Sequence, residues 1–199
     1  MNEPNKNKNS YFFIRKFGIK CFCFFFLVSV SFLKSQSIVP KYSGFPTPVL
    51  EKNMLFYLQR TVDYNTVIYE LNYDKTGKIN SEAPLKAYWI DYEDGGKISQ
   101  LTYVQNKLAY GIESRLIDKA KEMFIISLVS YKKKTFTLRK HDQKGTHHVF
   151  AKLNGKEVIL QKIFVNITGG TYLKPKVKDI SLTGIDIISG EEIVEIVIP

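Results

Sequence analysis

Cysteine is nearly absent from the 199 residues: Cys21 and Cys23 are the two present, and both fall inside an N-terminal apolar run. The chain beyond residue 37 therefore carries none, which excludes structural disulfides, thiol catalysis and cysteine-ligated metal from the body of the protein. Histidine is scarce, with three residues, and tryptophan is single. There is no G-x-S-x-G nucleophile elbow and no internal repeat at a fixed period. Disorder and collagen-like composition are excluded as well, because 44% of residues are hydrophobic and only 24% are charged.

What is present begins with a leader. Residues 1–37 read as a secretory signal peptide, with a basic start (Lys6, Lys8, Arg15, Lys16, Lys20) and an apolar run from Cys21 to Leu33. Ser35 and Ser37 supply the small residues a peptidase needs, giving cleavage after Ser37 or, as an alternative, after Ser35. An uncleaved N-terminal anchor is the rival reading, although the run falls short of the ~20 residues of a comfortable span. A lipoprotein fits less well, since Cys21 and Cys23 open the run rather than follow it. No later stretch approaches spanning length. The expected address is therefore exported, periplasmic or extracellular, with no transmembrane segment after the leader is removed.

Removing the leader changes the charge. The whole chain has 29 basic and 19 acidic residues, net +10; the leader holds six of the former and one of the latter, which leaves +5. It also holds eight of the 14 Phe. The remaining domain is only mildly basic. Its one dense basic run, Lys132-Lys133-Lys134, reads as a solvated hairpin tip, so nucleic acid is not an expected partner.

Residues 38–52 read as an extended, Pro-rich lead-in (Pro40, Pro46, Pro48), and 53–199 as a single β-rich domain. Strands are expected at 53–60, 66–73, 85–92, 112–117, 122–131, 134–141, 146–153, 157–167, 176–187 and 192–198. Both faces of 53–60 are apolar, as in a central strand covered on two sides. Asn154-Gly155 and Ser189-Gly190 are hairpin signals. One helix is expected at 97–110, from Ile98, Leu101, Val104, Leu108 and Ile112 at three-and-four spacing, with Gly111 at its C-terminal cap. The fold class is mainly β: an antiparallel β-barrel or β-sandwich of about 8–10 strands with one helix.

The strings FPTPVLEKNMLFYLQR (Phe45–Arg60), NTVIYELN (Asn65–Asn72), AYWIDY (Ala87–Tyr92) and LTYVQNKLAYGI (Leu101–Ile112) resemble the domain of unknown function 4833 family. That family comprises exported proteins seen mainly in bacteria of the Bacteroidetes type. The resemblance runs from about Phe45 to the C-terminus. It implies the compartment and the single-domain organisation, and it carries no activity, cofactor or site residue across.

Candidate chemistry is sparse. His141, His147 and His148, with Asp142, have the residue types of a zinc site, but adjacent His147 and His148 must face opposite sides of a strand. Glu113, Asp118 and Glu122 are neighbours in sequence without the convergence that paired acid–base carboxylates need. No catalytic residue, metal or cofactor is assigned. The better candidate is aromatic: Tyr57, Tyr88, Trp89 and Tyr103 would line a ligand cavity, with Arg60 as its polar anchor, since Tyr and Trp combine large apolar area with a hydrogen-bonding tip. Arg60 stands in phase with Met54, Phe56 and Leu58 and needs a partner there; Glu70 across the first hairpin is one, and an anionic ligand another. The expected function is a non-catalytic binding or envelope-associated module for a small amphipathic ligand or an envelope protein. The alternatives are a hydrolase of envelope lipid or glycan, and a protein-interaction domain using the edge strand Glu192–Ile198.

Overall fold

Eleven strands account for most of the domain. The structure, a computed structural model, describes residues 44–141, 145–171 and 174–199; the leader and its cleavage sites lie outside them. The strands are β1 (Met54–Arg60), β2 (Asp63–Leu71), β3 (Leu85–Asp91), β4 (Lys97–Gln100), β5 (Ile112–Asp118), β6 (Met123–Leu128), β7 (Tyr131–Lys140), β8 (His147–Leu153), β9 (Lys156–Gly170), β10 (Pro175–Asp186) and β11 (Glu192–Val197). A short 3-10 turn covers Tyr92–Asp94. One α-helical turn, Tyr103–Gln105, runs on into a π-helical segment, Asn106–Tyr110; together they make helix α1.

β9 is the junction of the sheet. On one edge it pairs antiparallel with β8 through Ile159↔Phe150, then parallel with β1 from Lys162↔Tyr57 to Val165↔Arg60. β10 holds the opposite edge from Val158↔Asp186 to Gly170↔Pro175. Two arms, β1–β4 and β8–β5, therefore leave the same edge of β9 and diverge. Their inner faces meet in one core, with Phe56, Val67, Tyr69 and Trp89 from the first arm against Phe124, Ile126, Phe136, Leu138 and Val149 from the second. Phe56 and Tyr69 stack, ring centroids 4.4 Å apart. β4 and β5 end the two arms without pairing with each other, so the curled sheet is an open half-barrel.

The mainly β expectation holds, with three corrections. The sheet is mixed rather than purely antiparallel, because β1 and β9 run parallel, and it is an open half-barrel rather than a closed barrel. The helix begins at Tyr103, not at residue 97. Gly95 and Gly96, with φ of 68° and 84°, reverse the chain after Asp91, and Lys97–Gln100 returns along β3 as β4. Ladder bonds to β3 outweigh the three-and-four apolar spacing that Ile98 began. Thr102 then starts the helix: its hydroxyl accepts from the Gln105 N–H, and the Gln105 side chain accepts from the Thr102 N–H.

Gly111 does follow the helix, for a reason other than a left-handed cap. Its φ is −65°, but a Cβ there would lie 1.9 Å from the Asn106 carbonyl oxygen, which the wide π turn pushes against it. The lysine run also differs from expectation. The turn between β6 and β7 falls at 129–130, and Lys132 and Lys134 lie within β7, paired with Glu113 and Glu195, both at 2.5 Å.

β1 is central and covered on both faces, as its sequence suggests. Its outer face is closed by 44–50, which carry no helix or strand. Phe45 packs on Tyr64 and Phe164. Buried Gln59 donates from Nε2 to the Pro46 carbonyl at 2.6 Å and to Thr66 Oγ1 at 3.0 Å. Tyr57, Ile68 and Tyr88 form a second, smaller apolar cluster on this side, with Leu50, Met54 and Ile90 around it.

Candidate functional site

A cavity of about 760 Å³ opens at the mouth of the half-barrel. Inward-facing strand residues make its floor and walls: Leu58 and Arg60 of β1, Leu128 of β6, Phe136 of β7, Ile163, Val165 and Ile167 of β9, and Val177, Ile180 and Leu182 of β10. α1 forms one side with Val104, Leu108, Ala109 and Tyr110, and the β9–β10 hairpin forms another with Gly169, Gly170 and Pro175. The size lies in the range of about 300–1,000 Å³ that small-molecule pockets occupy. The cavity exists because the two arms splay from β9. Apolar side chains that would interdigitate between closer sheets here face a gap instead.

Arg60 supplies the polar end. Its inward position follows from strand alternation, one step of two beyond Leu58. The guanidinium Nη2 donates to Asp63 Oδ2 at 2.6 Å, Nη1 donates to the Tyr110 hydroxyl, and its face lies 4.7 Å from the Trp89 ring. Arg60 Nε is buried without a hydrogen-bond partner. The expected partner Glu70 is not the actual one. Glu70 lies opposite Met54 at the far end of the β1–β2 ladder and pairs with Lys86 at 3.2 Å. Asp63 instead begins β2 directly opposite Arg60, so the hairpin turn itself delivers the carboxylate.

Of the aromatic candidates, Trp89 comes to this site and the tyrosines do not. Trp89 is a core residue beneath Arg60; its Nε1–H donates to Gln105 Oε1 at 3.4 Å, and Tyr110 packs edge-on against it at 5.0 Å. Tyr57 and Tyr88 lie on the opposite face of the sheet. Burial, with Glu70 adding to it, pushes the Tyr88 phenol up to about 12, and burial raises Tyr57 too, so both act as neutral groups there. Tyr103 stands on α1 with 77% of its surface exposed and does not line the cavity. Tyr110, absent from the expected cavity lining, takes that place: its hydroxyl meets Arg60 and its backbone carbonyl accepts the Tyr69 hydroxyl at 2.9 Å.

The profile of the family described as Domain of unknown function (DUF4833) matches residues 56–196. The chain belongs to that family. No curated protein and no solved structure matches it. The match spans β1 through β11, so the DUF4833 region includes the fork at β9 and nearly every wall of the cavity.

The remaining candidates of this DUF4833 domain sit elsewhere. His147 and His148 do face opposite ways: the His148 ring lies 6.0 Å from that of His141, while His147 Nε2 lies 3.5 Å from Glu122 Oε2. Asp142 is outside the described residues, and among the described residues no three His, Cys, Asp or Glu converge as a metal set. Glu113, Asp118 and Glu122 do not converge either. Glu113 pairs with Lys132, Glu122 with Lys140 at 2.9 Å, and Asp118 caps the Ala120 and Lys121 N–H groups. β11 pairs with β10 alone and exposes Val194, Ile196 and Ile198 on its outer side. Part of its free edge is occupied, because Asn154 Nδ2 donates to the Val194 carbonyl at 3.0 Å. Among the described residues no helix is long and apolar enough to cross a membrane.

Proposed function

We propose that this DUF4833 domain is a non-catalytic binding module of an exported protein, holding a small amphipathic molecule in the mouth of its half-barrel. The observation that carries the reading is the cavity itself: walls mostly of Leu, Ile, Val and Phe, with one charged group set, Arg60–Asp63 with Tyr110, at the end of β1. Apolar walls with a few fixed polar groups are the usual composition of a ligand pocket. Leu108 (65% exposed) and Val104 (45%) stand at its entrance, where an apolar ligand would cover them. Export rests on the leader residues 1–37, and an envelope setting would supply such ligands.

The test uses the domain from residue 38 and an uncharged naphthylamine dye whose fluorescence rises in apolar surroundings. Saturable one-to-one binding is expected, weakened at least about fivefold by Leu108→Glu, which puts a charge at the entrance without touching the core. Native mass spectrometry of the protein from its own cells then reports a retained ligand and an N-terminus at Ile38 or Gln36. Absence of saturable dye binding overturns the cavity reading; a chain still beginning at Met1 overturns export with cleavage.

A further inference from the structure

The polar end of the cavity is an ion pair rather than an open cation, with only the buried Arg60 Nε left without a hydrogen-bond partner. Both terminal nitrogens of Arg60 are engaged, Nη2 by Asp63 Oδ2 at 2.6 Å and Nη1 by the Tyr110 hydroxyl, and its face is covered by Trp89. Asp63 is fixed in turn, since its Oδ1 accepts the Asn65 N–H at 3.0 Å. Among the side chains of the described residues that line the cavity, Arg60 is the one cation and Asp63 the one carboxylate; Pro199 lines it as well. The side chains of the wall therefore offer a ligand no net positive charge. They do offer a donor: the Tyr110 oxygen accepts from Arg60 and keeps its own O–H.

Resting on the reading that this cavity binds a ligand, we propose that it selects single-chain amphiphiles with an uncharged, hydroxyl-bearing head over the same chain ending in a carboxylate, and that Asp63 sets the choice. An incoming carboxylate meets Asp63 first. To reach Arg60 it must displace a carboxylate already held on a short, charge-assisted bond, or lie against it in a poorly screened site, and either is unfavourable. A neutral head leaves the pair intact and takes the Tyr110 O–H. Like-charge exclusion of this kind gives specificity by rejecting the wrong partner.

Displacement of the same uncharged dye by 1-monolauroylglycerol and by laurate, each kept below its aggregation concentration, tests this. The wild-type domain is expected to bind the monoglyceride at least about tenfold more tightly than laurate. Asp63→Asn keeps the shape and the Asn65 contact but removes the negative charge. It is expected to tighten laurate about tenfold or more while moving the monoglyceride less than about threefold. Equal affinity of the wild type for the two amphiphiles, or an unchanged ratio in Asp63→Asn, overturns the proposal while leaving a binding cavity in place. Dye binding with no displacement by either amphiphile overturns it too. Failure of the dye itself to bind removes the cavity reading on which it rests. Should Asp63→Asn not fold, the wild-type ratio decides alone.

Discussion

Tyr88 and Trp89 are neighbours in β3 and share no environment. Trp89 faces the main core, beneath Arg60 and against Tyr110; Tyr88 faces out, into the small cluster with Tyr57 and Ile68. The two faces of the β1–β3 arm are both buried but closed by different means. The inner face is closed by the second arm of the sheet, with strands bonded along their lengths. Seven irregular residues, 44–50, close the outer one, tied by Phe45 and by the Gln59 hydrogen bonds. Burial alone does not distinguish them. What covers each face does, and the inner face, where that cover splays away, is where the cavity forms.

The sharpest way to break this contrast is to truncate adjacent residues of β1. Phe56 is fully buried and stacked on Tyr69, so Phe56→Ala is expected to cost about 3–5 kcal/mol in urea unfolding. Tyr57→Ala removes a side chain of comparable size from the outer cluster, where 44–50 can settle into the space, and roughly 2 kcal/mol is expected. Equal losses would mean that the outer face is a rigid core in its own right, and the distinction would fall.

A milder test addresses the cover. Gln59 joins β1 to the lead-in through Pro46, so Gln59→Ala is expected to cost about 1–2 kcal/mol. The localisation is more informative than the size. Amide exchange and proteolysis should accelerate at 44–52 and stay unchanged at the β9–β10 ladder. Acceleration spread evenly through the sheet would show that the lead-in is an integral part of the fold rather than a cover on it.

The same contrast explains which parts of this molecule were legible in its sequence. Period-two alternation over Val67, Tyr69 and Leu71 marks β2 and its dry face, and Asn154-Gly155 marks a hairpin, because both signals are local. The parallel β1–β9 pairing joins residues about a hundred positions apart and leaves no local trace, so the fork and the open half-barrel could not be seen. Tyr57, Tyr88, Trp89 and Tyr103 were grouped by chemistry, whereas their positions separate them. Tyr57 alternates with Phe56 and Leu58, and Tyr88 alternates with Trp89. Arg60 was legible because a charge in phase with an apolar face needs an explanation. Ile163, Val177 and Leu182 were not, since an inward aliphatic residue reads alike whether it packs or lines a cavity. Asp63 has the look of an ordinary turn residue in sequence, and the turn is what brings it to Arg60.

Alternation divides the histidines as well, and it sets the smallest expected effect. His147 faces Glu122 and Lys140 from β8, and burial holds its imidazole below the ordinary range, with Lys140 adding to this and Glu122 opposing it. The folded chain is then harder to protonate there than the unfolded one. Above about pH 6.5 neither form carries the charge. As pH falls through that value the unfolded chain takes up the proton first, so this contribution to stability is lost on acidification. His147→Gln should flatten that near-neutral slope in urea midpoints relative to wild type. Glu122→Gln should steepen the slope, because it removes the carboxylate that favours the imidazolium. It should also weaken a second, more acidic loss: Lys140 holds the Glu122 carboxyl below its usual range, so that contribution disappears only as the carboxylate protonates. An unchanged slope in both His147→Gln and Glu122→Gln would mean that the inward face of β8 is open to water at this end. Its likeness to the inner face of β1 would stop short of His147.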